Sequence, residues 1–360
     1  MRAFTLSDGG PLRRLLHRVP ARWILLAVWL PLFVDGISPI VRDLSVHARL
    51  LVGVPAVLLA EKLVSRACGS AVASLYNGGI AAPGALDRIV DRGGELRDAW
   101  WPELALAALA IVDGQLALWG VTETTRPFHA EVHPMSLERV WYLSVAFPLA
   151  RFVTLRFLWR WAVWSMMLAR IAGLRLSLLA THPDHACGIS CLARPVSGFG
   201  AFAFAVGVVL ASAWGTQMLA GTTTLREQLP ELLVFLFVVL VLAVAPLLPL
   251  CSHLYRVRRR GLADYGDFSF GYMRGFHDKW IETHVGGERA LGTQDIQSLA
   301  DIGNAFSVVL RTRLFAFSMR HVLAVLGSAL LPMVPLYAST TSVEKVLAKV
   351  FGAVLGGLPL

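Results

Sequence analysis

The stretch PELLVFLFVVLVLAVAPLLPLC, residues 230–251, decides the fold. Its one charge, Glu231, sits at the start, and its length is close to the about 20 residues needed to cross about 30 Å of hydrocarbon. The 360-residue chain is 56% hydrophobic and 16% charged, with a mean hydropathy of +0.61. Soluble domains average about 45–50% apolar and about 25% charged. Such an excess needs lipid as a second solvent, which excludes disulfide scaffolds, disordered regulators and ordinary cytosolic enzymes. The net charge of +9 then reports orientation and contact with anionic headgroups rather than nucleic acid, for which there is no recognisable module.

Working outward, comparable apolar runs predict further spans at 22–40, 48–65, 101–121, 138–163, 198–220 and 321–338, seven in all. The first follows Arg13, Arg14, His17 and Arg18 and reads as an uncleaved helix, since no small-x-small cleavage site succeeds it. The loops 122–137 and 221–229 carry few basic residues, whereas 253–320 carries ten Arg/Lys, including Arg256, Arg258, Arg259 and Arg260. The positive-inside rule therefore predicts a multi-pass protein with its N-terminus cytoplasmic and its C-terminus outside. Residues 66–99 are nearly neutral and test this least well. The expected organisation is an all-α polytopic bundle: spans one to six over 1–252, a cytoplasmic helical insert over 253–320, and a last span with an interfacial helix over 321–360. Within the insert, the only sizeable polar one, Thr293 to Arg313 reads as an amphipathic helix and 266–273 as a packed turn; the tail 342–358 suits an interfacial helix.

Charges inside the spans are the candidate functional groups, because an intramembrane charge needs a partner, a cavity or water. The fourth span continues helically past one bilayer thickness and must either project or kink near Pro148. It carries Arg151, Arg156 and Arg160 among Trp159, Trp161 and Trp164. Arg156, Trp159, Arg160 and Trp161 suit the cytoplasmic headgroup level, while Arg151 lies near the bilayer midplane. Asp113, beside Gln115 in the third span, has comparable depth and is the expected partner of Arg151, unless Arg151 lines a pore. Arg151, Arg156, Arg160 and Asp113 are thus the candidates for a transport path. Gly198, Gly200 and Gly207 give the fifth span a small-residue face for packing or self-association.

The sharpest motif is Thr181-His182-Pro183-Asp184-His185-Ala186-Cys187-Gly188-Ile189-Ser190-Cys191. His182, His185, Cys187 and Cys191 are weak candidates for a metal, since ligands so close in sequence strain the backbone; a structured turn at Pro183 and Gly188, with Asp184 or Thr181 capping the next helix, explains them better. Four cysteines are too few for a disulfide framework, and no cofactor is implied. His-Pro-Asp also resembles the J-domain signature, but its place between two spans does not match. Together with Leu155-Arg156-Phe157-Leu158-Trp159-Arg160 and Asp295-Ile296-Gln297-Ser298-Leu299-Ala300-Asp301, the turn resembles an uncharacterised family of bacterial multi-pass inner-membrane proteins, over roughly residues 138–358. That family's turn reads His-Pro-Asp-x-x-Gly-Gly, so Cys187 replaces its first glycine. The resemblance implies no activity; it implies that His182, Asp184, Asp295, Gln297 and Asp301, with His185 alongside, form one shared polar feature. Because both segments are polar and lie on one side of the membrane, they are expected to touch, with Asp184 or His182 bonded to the N-terminal turn of the insert helix or to nearby arginines.

These residues support passage of an ion or small solute, with anions favoured, or a non-enzymatic scaffold docking through its insert. A membrane-embedded metal-dependent enzyme comes third. A homo-oligomer is compatible with any of these.

Overall fold

The computed structural model describes residues 44–119, 137–219, 221–224, 226–282 and 294–340, and all their regular structure is helical. The expected span 22–40 and the tail helix 342–358 lie outside the described residues. We name the helices α1 (Leu44–Asn77), α2 (Pro83–Asp98), α3 (Trp100–Leu118), α4 (Leu137–Ala172), α5 (Ser190–Leu219), α6 (Leu229–Val244), α7 (Cys251–His277), α8 (Gln294–Leu310) and α9 (Met319–Leu330). Six helical stretches are long and apolar enough to cross a membrane, and each overlaps one of the six expected spans within the described residues. The chain is an integral membrane protein.

Helix α3 supplies the ruler. Leu104, Leu109, Ile111, Val112 and Leu116 are exposed along it, bounded by exposed Trp100 and Trp101 at one end and Trp119 at the other. Its 19 residues rise about 28 Å, the hydrocarbon thickness, and tryptophan belongs at both interfaces. Trp159 of α4 meets Trp101 edge-on with ring centroids 5.8 Å apart, so α4 leaves the bilayer there. Its 36 residues rise about 54 Å without stopping at Pro148. Pro148 follows a π turn, Tyr142–Ala146, and falls where the hydrogen-bond ladder changes register. The end of α4 therefore projects, and amphipathic α2 packs on it through Leu86, Ile89, Val90 and Gly93.

Small residues set the centre of the bundle. A Cβ on Gly198 of α5 would lie 3.0 Å from the Val64 nitrogen of α1, and one on Gly207 would lie 2.7 Å from the Ala329 oxygen of α9. The small face of α5 is thus spent within the chain, on α1 and α9.

Helix α6 runs through a 3-10 turn, Ala245–Leu250, directly into α7. Pro246 lacks the N–H that would bond the carbonyl four residues back, Leu242. The Trp161 indole N–H of α4 donates to that carbonyl at 2.8 Å, and so supplies the bond that Pro246 cannot make. Beyond Leu250, α7 and the π turn Asp278–Glu282 continue for 32 residues, a rise of about 48 Å out of the membrane.

Two expectations need correction. Residues 266–273 are helical, not a packed turn: Gly266 and buried Ser269 face α8, whose packing outweighs the low helix propensity of glycine. Nor is 253–320 the only polar element outside the bilayer, because α2, the end of α4 and the 173–189 segment share the Trp100 side with it.

Replacing Trp161 by Phe strands the Leu242 carbonyl and should cost about 1–3 kcal/mol, read as a lower melting temperature in lipid nanodiscs. Pro246→Ala in the same background returns a backbone N–H and should recover part of the loss.

Candidate functional site

Glu61 of α1, Glu103 in the first turn of α3, and Arg156 and Arg160 of α4 converge one helical turn inside the Trp100–Trp101 belt. Arg160 ion-pairs closely with Glu61, Arg156 Nη2 lies 3.3 Å from the same Glu61 oxygen, and Arg156 Nε lies 3.6 Å from Glu103 Oε1. Arg160 and Glu103 are each 3% exposed and Glu61 8%. Two cations and two anions cancel, so the cluster carries no net charge into the apolar zone. Arg156 and Arg160, expected along a transport path, face this closed cluster. Glu103 was not legible: behind Trp100-Trp101-Pro102 it reads as an ordinary acid at a helix start, and only the α3–α4 contact makes it a partner.

Arg151 Nε lies 3.2 Å from Asp113 Oδ2, with side chains 49% and 22% exposed. Gly114 allows this, because a Cβ there would fall within 2.7 Å of Pro148, so α3 and α4 nearly touch beside the pair. Asp113 is six residues from Trp119 and thirteen from Trp100, about 9 and about 20 Å along the helix. The pair therefore lies in the Trp119 leaflet rather than at the midplane. Arg151 also borders a cavity of about 230 Å³ between α1, α4 and α5, where Arg49 is a second guanidinium. Arg49 escaped sequence reading; its signal was an arginine at the start of an apolar span.

The His-Pro-Asp segment is a turn held by one carboxylate. Asp184 Oδ1 accepts from the backbone N–H groups of Ala186 (2.8 Å) and Gly188 (3.0 Å), and Oδ2 accepts from Ser190 N–H (3.1 Å). His182 Nδ1 lies 2.8 Å from Asp184 Oδ1. Positive φ at His185 (54°), Cys187 (56°) and Gly188 (95°) folds the chain back; Cys187 is thus left-handed and tolerates the strain with these bonds in place. Burial pushes the Asp184 carboxyl up, but its three backbone N–H bonds outweigh that and hold it below the usual range. Burial, and then the Asp184 charge, push the Cys187 thiol up to about 11, which disfavours the thiolate a metal requires. Among the described residues no three His, Cys, Asp or Glu groups converge as ligands.

Turn and insert meet at the far end of α8 from Asp295. Arg313 donates from Nη2 to the Asp184 carbonyl and from its backbone N–H to the His185 carbonyl, both at 2.8 Å, and Thr312 Oγ1 donates to the Ala180 carbonyl at 3.2 Å. Asp295 instead fastens α8 to the distal part of α7. It accepts from Lys279 Nζ (2.8 Å) and Trp280 Nε1 (3.0 Å), and Tyr272 Oη donates to its carbonyl; the Lys279 and Trp280 bonds hold its carboxyl low. Among the described residues, Gln297 bonds Asp301, one turn on. The polar feature expected from His182, Asp184, His185, Asp295, Gln297 and Asp301 is thus two separate fastenings, one at each end of α8. No protein-family model matches the chain, and neither a curated protein nor a solved structure matches it.

Arg160→Met should leave buried Glu61 undercompensated and cost about 3–5 kcal/mol. Adding Glu61→Gln should recover part of it, a coupling measured by a double-mutant cycle of thermal unfolding. Because the Asp184 carboxyl is held low, its stabilisation is complete above its unfolded value of about pH 4 and is lost as pH falls through the folded one. Asp184→Asn, losing the Ser190 bond, should be about 1–2 kcal/mol less stable at neutral pH. Its deficit should shrink in acid-unfolding scans as pH falls below the unfolded value toward the lower folded one.

Proposed function

We propose that the protein is a non-enzymatic scaffold of the bacterial inner membrane, with the α7–α8 hairpin in the cytoplasm as its docking element. The observation that carries this reading is the unpartnered apolar surface of that hairpin. Tyr255, Phe270 and Met273 are exposed on α7 and, at 100° per residue, fall within an arc of about 60° that borders the α8 contact at Gly266, while exposed Phe268 lies on the opposite face. Ile296, Leu299 and Ile302 of α8 remain half-exposed beside α7. Exposed apolar surface on a projecting element suits a protein partner. The basic residues Arg170, Arg175, Arg256, Arg258, Arg259, Arg260 and Arg313 all lie on the Trp100 side, which supports a cytoplasmic hairpin. The turn and helix motifs support membership of the bacterial family they resemble, and a homo-oligomer fits the same surface.

Passage of a small anion is the second reading, favoured by Arg49 and Arg151 on one cavity. Against it, the other two arginines of the expected path are neutralised by Glu61 and Glu103.

A photo-crosslinker at Phe270 or Met273 should give a discrete protein adduct in native membranes, lost in a Tyr255→Ser background that leaves thermal stability within about 0.5 kcal/mol. No adduct, together with anion flux in proteoliposomes that Arg151→Leu abolishes, would replace docking by passage.

A further inference from the structure

We propose that the cavity between α1, α4 and α5 binds a phosphate-bearing anion through Arg49 and Arg151. The cavity holds about 230 Å³, several times the roughly 30 Å³ share of a water molecule in the liquid. Its polar end is formed by the two guanidinium groups, and its walls by Val54, Val57, Val206 and Val209.

The charges there do not balance. Arg151 is paired with Asp113. Arg49 is half-buried, and among the described residues its partners are the Tyr142 hydroxyl, to which Nη1 donates at 2.6 Å, and the Phe147 ring, 5.2 Å below its guanidinium carbon. Both are neutral. Among the described residues, two guanidinium groups at the cavity thus face one carboxylate, Asp113, and an arginine within a span needs a partner, a cavity or water. The Glu61 cluster pairs two arginines with two carboxylates, and an anion in the cavity would bring this pair to the same balance.

The backbone is shaped to the same end. A π turn in α1, Ala48–Gly53, carries Arg49, and a π turn in α4, Tyr142–Ala146, carries its partner Tyr142. A π turn adds a residue to the helical turn and is frequent at functional sites; here two are joined by the Arg49–Tyr142 bond. Gly53 keeps α1 against α5, since a Cβ there would meet Val209 at 3.3 Å. The planar fork of arginine matches phosphate oxygens in pairs. The valine walls suit the apolar body of a lipid behind its headgroup phosphate, and free phosphate carries the same recognised chemistry. The inference is independent of docking by the hairpin; it concerns the site that anion passage would use.

The test uses the full-length protein purified in detergent, with phosphatidylglycerol, phosphatidylcholine or inorganic phosphate added, read by native mass spectrometry and thermal shift. Phosphatidylglycerol should be retained over phosphatidylcholine, and Arg49→Gln should weaken retention about tenfold or more, with Arg49→Lys intermediate. If inorganic phosphate stabilises the protein in an Arg49-dependent way and the lipid does not, the site stands and its ligand is the free anion. If neither probe depends on Arg49, or if phosphatidylglycerol binding falls only when Arg256, Arg258 and Arg259 are replaced, the proposal is overturned. Arg49→Gln must elute as a folded, monodisperse species; if it does not, the Lys variant against wild type decides, and equal retention of both lipids by the two proteins counts against the site.

Discussion

Glu61 sits between Arg156 and Arg160, and the rest of the molecule is arranged around that contact. It ties α1 to α4 and, through Glu103, to α3 at the level where the chain leaves the apolar zone. Burying four charges is tolerable only because they cancel. The cancellation fixes the depth of three helices relative to one another, since a shift of one turn in any of them would separate the partners by about 5 Å. The aromatic belt at Trp100, Trp101 and Trp159 lies at the same level, so packing, charge and interface agree on where the membrane ends.

Much of this was legible in the sequence, because lipid leaves few options. An apolar run of about 20 residues has to be a helix, and the runs at 101–121 and 230–251 announced themselves by length alone. Asp113 and Arg151 could be matched because both are conspicuous in apolar surroundings and their spans are neighbours. Glu103 and Arg49 could not, since their meaning depends on which residue of another helix lies opposite. The continuity of α7 was hidden for a related reason. Gly266 and Gly271 signal a turn locally, and only the packing of α8 makes helix the better solution. At the His-Pro-Asp turn the residue types were sufficient: an Asp followed by Ala, Cys and Gly, with donors two, four and six residues on, is a cap by its own geometry.

The two ends of the bundle differ in how they treat charge. On the Trp100 side the fold closes Arg156 and Arg160 against carboxylates. In the opposite leaflet Arg49 rests against a hydroxyl and a ring, neither of which carries charge. The hairpin is fastened at its base by Arg313 and farther out by Asp295, so the apolar surface between them is held on a stiff arm rather than a loose loop.

The bond from Trp161 to Leu242 has a consequence for how the chain is made. Helix α6 is not self-sufficient as a membrane segment: Pro246 leaves it with an open carbonyl that only another helix fills. That helix, α4, is synthesised earlier and is already in the bilayer when α6 emerges. The order of the polypeptide therefore supplies the receptor before the segment that needs it. A rearranged chain in which α6 preceded α4 would leave that carbonyl without its protein donor for as long as the ribosome took to reach Trp161.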